Sequence, residues 1–169
     1  MTDLVPNRSG KPRVLFLCTG NSCRSQMAEG WARELLGDRL EAYSAGTSPH
    51  GLNPDAVEVM REAGVDISRQ FSKTVNELPV DSFDLVVTLC DEASQSCPQL
   101  PGAHRVVHVP FDDPPRLAAA EASYERGLDH YRRVRDEIRR FVESLPQWLE
   151  TPSGGPTAIQ TPAGTHLAR

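Results

Sequence analysis

The stretch Arg13–Leu36, RVLFLCTGNSCRSQMAEGWARELL, carries the strongest fold signal in the chain. It opens with an apolar run that ends at Cys18, which is typical of a strand buried on both faces of a parallel sheet. Apolar side chains then recur at helical spacing, so a helix is predicted from Arg24 to Gly37. Only a short run of small and polar residues separates the two elements, so the chain passes directly from a strand to the N-terminus of a helix.

Strands and helices continue to alternate along the sequence. Further strands are predicted at 40–44, 84–89 and 105–109, and further helices at 54–64 and from about 121 to 145. This order predicts an α/β fold, a three-layer sandwich in which a four-stranded, mostly parallel sheet is flanked by helices. Sheets of this kind bind ligands at the carboxyl ends of their strands.

Composition and charge restrict the class of protein. With 169 residues we expect one domain over 12–149, a flexible lead-in at 1–11 and a disordered tail at 150–169. The net charge of −5 argues against a nucleic-acid partner. There is no apolar run of about 18 residues, so no membrane interaction is expected. Because the N-terminus lacks the apolar core of a signal peptide, we expect a cytoplasmic monomer whose four cysteines are reduced.

The loop after Cys18 has the composition of an oxyanion site. Main-chain N–H groups at a strand-to-helix turn can converge on an anion, and the helix N-terminus adds partial positive charge. The same field is expected to lower the pKa of the Cys18 thiol from ~8.5 to within ~3.5–7.5, with Ser25 donating a hydrogen bond to the sulfur. The candidate oxyanion-binding residues are Thr19, Gly20, Asn21, Ser22, Cys23, Arg24 and Ser25, and Arg24 supplies a planar fork for two oxygens.

Simpler interpretations of these residues remain open at this point. The loop could cap a helix above a buried thiol, and Glu29 and Ser44 could either brace Asn21 or lie in solvent. The cysteine spacings, C-x4-C and C-x6-C, suit structural zinc poorly, so no metal and no cofactor is expected.

Three separated motifs resemble a known family. CTGNSCRS (18–25) is similar to the phosphate loop of low-molecular-weight protein tyrosine phosphatases, and the longer CTGNSCRSQMAEGWA resembles the arsenate reductases built on that fold. The similarity continues through FDLVVTLCDEASQSCP (83–98) and FDDPP (111–115), and covers roughly residues 12–146.

The resemblance implies a three-cysteine relay. Cys18 would attack the arsenic of arsenate, Cys90 would release arsenite by forming a disulfide with Cys18, and Cys97 would then attack Cys90. Thioredoxin would reduce the final Cys90–Cys97 bridge, with glutaredoxin or a low-molecular-weight thiol as the alternative electron donor.

The family also places a proton donor directly before a proline, which assigns this role to Asp113 and leaves Asp112 as a neighbour. Cys23 is expected to fill space beneath the loop, although an off-pathway disulfide with Cys18 is the alternative. An insert, RLAAAEASYERGLDHY (116–131), could add a helical turn beside Asp113.

Two other functions compete with arsenate reduction. A phosphatase that hydrolyses phosphate monoesters would use the same loop, but it has no need of Cys90 and Cys97. A non-enzymatic module could sense an anion or the redox state through the segment 90–97.

Oxidation is expected to remodel the segment between Cys90 and Cys97. A helix there would separate the two cysteines by about 10.5 Å along its axis, whereas a disulfide spans Cα atoms up to ~7 Å apart. Hydrogen exchange across residues 90–98 should therefore differ between reduced and oxidised protein. Identical exchange in the two states would contradict this expectation.

Overall fold

The computed structural model describes residues 10–89, 100 and 102–150 of the chain. The strands are β1 (Arg13–Cys18), β2 (Glu41–Gly46), β3 (Leu85–Thr88) and β4 (Val106–His108). The helices are α1 (Arg24–Leu36), α2 (Pro54–Glu62), α3 (Pro114–Ala119), α4 (Tyr124–Glu143) and α5 (Leu145–Glu150), with a 3-10 turn at Val75–Glu77.

The four strands form one sheet in the order β2-β1-β3-β4, and each pair is parallel. Because all strands run the same way, their carboxyl ends meet at one edge, where Cys18 lies in register with Gly46. The predicted α/β class with a four-stranded sheet is confirmed. The sheet is parallel throughout the described residues, where the sequence predicted a mostly parallel one.

The central strand β1 is buried on both faces. Val14 and Phe16 face the larger apolar cluster, to which α1, α2, α4 and α5 contribute, whereas Leu15 and Leu17 face a smaller cluster. This alternation follows from the two-residue period of a strand. Since every side chain from Val14 to Leu17 is at most 1% exposed, β1 is fixed from both sides and its carboxyl end is held in place.

Helices α1 and α4 are locked together beside the sheet. The indole Nε1 of Trp31 donates to the carbonyl of Arg135 at 3.1 Å, and the Arg139 guanidinium lies 4.9 Å from the centre of the Trp31 ring. The apolar side chains of α4, which include Tyr131 and Ile138, are buried in the larger cluster. The start of α1 is therefore rigidly placed relative to β1.

Several element boundaries differ from those predicted. β2 extends to Gly46 because the main chain there pairs with the end of β1. The predicted helix from 121 begins at Tyr124, where the Ser123 hydroxyl accepts from the N–H of Arg126 and caps α4. The suggested extra turn is present as α3, directly after Asp113. α5 was not predicted as a separate helix.

Some sequence expectations are not tested by the structure. The domain limits at 12 and 149 stay predictions, as do the interpretations of 1–11 and 150–169. No helix among the described residues combines the length and the apolar character that a membrane crossing needs.

Gly30 marks a close contact between α1 and the segment that follows α2. A Cβ at this position would lie 2.5 Å from Cγ2 of the buried Ile67 and 3.3 Å from Cε of Met60. We expect Gly30→Ala to lower the free energy of unfolding by about 1–3 kcal/mol through overpacking, although alanine favours helix. Urea denaturation measures the change. The double variant Gly30→Ala/Ile67→Leu removes the β-branch and should recover part of the loss; a stabilising Gly30→Ala would refute the contact.

Candidate active site

The candidate site is the loop of residues 19–23 between the end of β1 and the start of α1. Asn21 has a φ of 46°, the one left-handed non-glycine residue within the described ranges. This reversal folds the loop back over Gly46, whose ideal Cβ would lie 2.6 Å from the Thr19 carbonyl oxygen and 2.9 Å from the Asn21 nitrogen. Only glycine at position 46 allows the two main chains to approach so closely.

Three loop carbonyls are held by the segment 47–53, called here the rim segment. Its main-chain N–H groups donate in turn from Ser48 to Thr19 at 2.8 Å, from His50 to Gly20 at 2.9 Å and from Asn53 to Ser22 at 2.9 Å. The rim segment thus runs alongside the loop and donates one main-chain hydrogen bond to each of these three carbonyls.

The remaining loop carbonyl, that of Asn21, accepts from two side chains. The Ser72 hydroxyl donates to it at 2.5 Å, and Nε2 of Gln26 donates at 2.9 Å. The N–H of Gly51 donates to the Ser72 oxygen at 3.0 Å, so Ser72 also joins the loop to the rim segment.

The carbonyl bonds determine where the loop N–H groups point. In a trans peptide unit the C=O and N–H point in opposite directions, and the described residues include no cis peptide. With the four carbonyls from Thr19 to Ser22 bound outside the loop, the N–H groups of residues 20–23 are directed away from those partners. Together with the N-terminus of α1, they provide donors of the kind that bind an oxyanion.

The Asn21 side chain is fully buried behind the loop and makes three hydrogen bonds. Its Nδ2 donates to Ser25 Oγ at 2.9 Å and to Ser44 Oγ at 3.0 Å, while its Oδ1 accepts from the N–H of Lys73 at 2.9 Å. These bonds stabilise the left-handed conformation that a side chain otherwise disfavours. Because Ser25 accepts here, its hydroxyl proton remains for a second partner, and donation to Cys18 stays a prediction.

A buried charge cluster lies behind Asn21. Ser44 donates to the Glu29 carboxylate at 2.6 Å, and Glu29 also contacts Arg33 at 2.6 Å and Lys73 Nζ at 3.9 Å. Glu29 is 2% exposed, so of the two interpretations left open by the sequence, bracing of Asn21 is the one the structure supports. Burial lowers the pKa of Lys73, and the Glu29 carboxylate opposes that change.

Arg24 and Asp113 meet beside the loop. Nη1 of Arg24 donates to the Phe111 carbonyl at 2.9 Å, and Nη2 lies 3.5 Å from Oδ1 of Asp113. Asp113 precedes α3, yet its carboxylate makes no capping bond to that helix and is turned toward Arg24. Asp112 instead pairs with Arg133 at 3.2 Å on the surface. The position of Asp113 is compatible with the predicted proton donor.

The two described cysteines are both almost completely buried. Cys18 ends β1 at the base of the loop, and Cys23 packs in the larger apolar cluster. Burial raises the pKa of the Cys23 thiol well above its usual range, and the nearby Arg24 charge only partly opposes this. Burial thus favours the protonated thiol, which fits the space-filling interpretation. Cys90 and Cys97 lie outside the described residues.

Sequence reasoning missed the residues that hold the loop from behind. Ser72, Gln26 and Gly46 act through contacts between segments distant in sequence, and no local pattern signals them. The rim segment was recognisable only as a turn-rich stretch that ends at Asn53, directly before α2.

Comparison with known proteins identifies the class. The low molecular weight phosphotyrosine protein phosphatase family matches residues 13–153, and the chain belongs to this family. Among its relatives is an arsenate reductase of Halalkalibacterium halodurans, 49% identical over 137 residues, which are 81% of this chain and 96% of that protein. The resemblance to arsenate reductases is thereby confirmed.

Solved structures agree with this relationship. An arsenate reductase in the phosphate binding state superimposes with a TM-score of 0.65 at 31% identity, over 79% of this chain and 95% of that one. A thioredoxin-dependent arsenate reductase of Corynebacterium glutamicum gives a TM-score of 0.56 at 27% identity, over 82% of this chain and 63% of that one.

The contact at Gly46 predicts a site-specific effect. Gly46→Ala should displace the loop and weaken oxyanion binding at least about tenfold, because the added Cβ meets two main-chain atoms of the loop and the Cβ of Asn21, none of which can move without moving the loop. The measurement is the phosphate concentration that half-protects Cys18 from iodoacetamide, read by mass spectrometry.

Gly64→Ala is the matched control for Gly46→Ala. Gly64 has a φ of 90° and no atom within 4 Å of an added Cβ, so the variant should lose stability through backbone strain alone. Its phosphate protection should equal that of the parent protein. Equal protection in Gly46→Ala would show that the loop does not depend on this contact.

Proposed function

We propose that this protein reduces arsenate to arsenite through a relay of Cys18, Cys90 and Cys97, with thioredoxin as the electron donor. The observation that carries the proposal is the loop itself: four N–H groups directed away from bound carbonyls, a buried thiol at its base, and Arg24 and Asp113 beside it. Reduction of arsenate by thiols agrees with the relatives, which are arsenate reductases.

Binding comes first in the proposed sequence. The N–H groups of residues 20–23 and the Arg24 guanidinium hold the oxygens of arsenate, so that the arsenic lies above the Cys18 sulfur. Arg24 is fixed for this task by its bond to the Phe111 carbonyl, which leaves its Nη2 on the side of Asp113.

The first chemical step forms a bond between sulfur and arsenic. The Cys18 thiolate attacks the arsenic, the bond between arsenic and an arsenate hydroxyl breaks, and that hydroxyl leaves as water after it accepts a proton from Asp113. The carboxyl of Asp113 is partly exposed, so it can be reprotonated from solvent between turnovers.

The second step transfers two electrons. The Cys90 thiolate attacks the Cys18 sulfur, a disulfide forms between them, and the sulfur–arsenic bond breaks with its electron pair remaining on arsenic, which leaves as arsenite. Cys97 then attacks Cys90, which regenerates the Cys18 thiol and produces the Cys90–Cys97 disulfide. A thioredoxin dithiol reduces this disulfide and becomes oxidised itself.

The competing function is hydrolysis of phosphate monoesters, which the family membership favours. The loop, Arg24 and Asp113 serve that reaction equally well. Two further cysteines at positions 90 and 97 have no role in hydrolysis, and for this reason we favour reduction. The cytoplasm, where thioredoxin is kept reduced, is the proposed location.

Turnover with a defined electron donor tests the proposal. Purified protein with thioredoxin, thioredoxin reductase and NADPH should oxidise NADPH only when arsenate is present, and Cys18→Ser, Cys90→Ser and Cys97→Ser should each abolish this. Replacement of arsenate by phosphate controls for anion binding without reduction. Arsenate-dependent activity with glutaredoxin but not with thioredoxin would support arsenate reduction and identify glutaredoxin as the electron donor. No NADPH oxidation with either donor, together with hydrolysis of an aryl phosphate, would refute the proposed reductase activity.

A single-turnover experiment separates the steps of the relay. Reduced protein mixed with arsenate, without thioredoxin, should release one arsenite for each pair of thiols lost. Cys97→Ser should still complete this one turnover, because Cys18 and Cys90 suffice for it. Cys90→Ser should release none. Arsenite release by Cys90→Ser would contradict the assigned order.

A further inference from the structure

Tyr131 on α4 reaches the loop through one intermediate residue. It is 3% exposed, and its hydroxyl oxygen accepts a hydrogen bond from Nδ2 of Asn53 at 3.2 Å. Burial raises the pKa of Tyr131 to about 12, and the hydrogen bond with Asn53 only partly opposes this. The Tyr131 hydroxyl is therefore neutral at physiological pH and acts only as a fixed dipole.

Asn53 connects three parts of the protein. Its Oδ1 accepts from the N–H groups of Asp55 and Ala56 and caps α2, while its Nδ2 is bound to Tyr131. Its main-chain N–H donates to the Ser22 carbonyl at 2.9 Å. Both ends of the Asn53 side chain are thus occupied, which leaves this residue one favourable orientation.

The Ser22 carbonyl belongs to the same peptide unit as the N–H of Cys23. Because the two groups point in opposite directions, the bond from Asn53 to this carbonyl sets the direction of the Cys23 N–H. The side chain of Cys23 is buried in the larger apolar cluster, so its main-chain N–H is the part of this residue available to an oxyanion.

We infer that Tyr131 is a positioning residue for oxyanion binding, acting through Asn53 on the Cys23 N–H. The inference rests on the proposed oxyanion loop. It adds helix α4, about 100 residues away in sequence, to the elements that position this loop. It assigns the Tyr131 hydroxyl a role in the affinity of the site and no part in the chemical steps.

Loss of the hydroxyl has a specific consequence. In Tyr131→Phe the ring keeps its packing, but Nδ2 of Asn53 loses its partner in a partly buried position. The Asn53 side chain is then held only through its Oδ1, and its hydrogen bond to α4 is lost. The Cys23 N–H is less well oriented, so the loop must be reordered when an anion binds.

Tyr124→Phe is the matched control for Tyr131→Phe. Tyr124 lies on the same helix, and its hydroxyl also bonds to the start of α2, by donating to Asp55 at 2.7 Å. It is 64% exposed and its hydroxyl bonds to Asp55 and not to Asn53, so it tests the general loss of a tyrosine hydroxyl between α4 and α2.

The experiment measures half-protection of Cys18 from iodoacetamide by inorganic phosphate, which requires no turnover. We expect Tyr131→Phe to raise the half-protecting concentration about three- to tenfold, the effect of one neutral hydrogen bond, and Tyr124→Phe to leave it unchanged. With arsenate as substrate, KM should rise by the same factor while kcat changes less than twofold. Unchanged protection in Tyr131→Phe overturns the inference, whatever the reductase assay gives.

Asn53→Ser provides a second route that does not depend on Tyr131→Phe folding. Serine retains the N-cap and the main-chain N–H but cannot reach Tyr131. It should weaken phosphate protection as Tyr131→Phe does, and the double variant should be no weaker than either single one. Additive losses would show that the two residues act separately. If parent protein shows no phosphate protection at all, the oxyanion loop itself is wrong, and this outcome is distinct from the others.

Discussion

The site depends on the outward orientation of four consecutive carbonyls, those of Thr19 to Ser22. An anion cradle made of main-chain N–H groups repels anions as soon as one carbonyl turns inward, so every carbonyl needs a partner elsewhere. Three partners are N–H groups of the rim segment, and the fourth carbonyl is bound by Gln26 and Ser72. The sheet supplies the fixed base for this arrangement, because β1 is buried on both faces and ends at the first loop residue.

The charged side chains behind the loop form a separate cluster from the groups that bind the loop carbonyls. A loop that attracts anions concentrates positive potential, and a second cation close behind it would strengthen that potential. Lys73 occupies such a position, yet Glu29 lies within 3.9 Å and is itself paired with Arg33. Glu29 therefore offsets one of the two positive charges, and its hydrogen bond with Ser44 helps to hold Asn21. Glu29 and Lys73 are both buried, and burial of either ion alone would be unfavourable, which explains why they occur together.

The sequence predicted much of this site because its strongest signals are local. A buried strand, a loop of small residues and a helix start pointed to Cys18 and Arg24, whereas Asp113 was indicated by the resemblance to the family. The braces could not be predicted, since Ser72, Gly46 and Tyr131 act across segments that only the folded sheet brings together. Helix α3 lay within an insert that could be recognised, whereas α5 follows α4 after a single residue and gave no separate signal.

The parallel strand order β2-β1-β3-β4 also determines at which stage of folding the site can form. Parallel neighbours are joined by long crossovers, and such non-local pairings form late and slowly. The loop requires β2 for Gly46, the rim segment for its carbonyls, the chain around Ser72, and the end of β4 for the residues beside Arg24. A nascent or partly unfolded chain therefore lacks the arrangement of N–H groups around Cys18. We expect phosphate to protect Cys18 only once folding is complete, so the appearance of protection would time the last folding step.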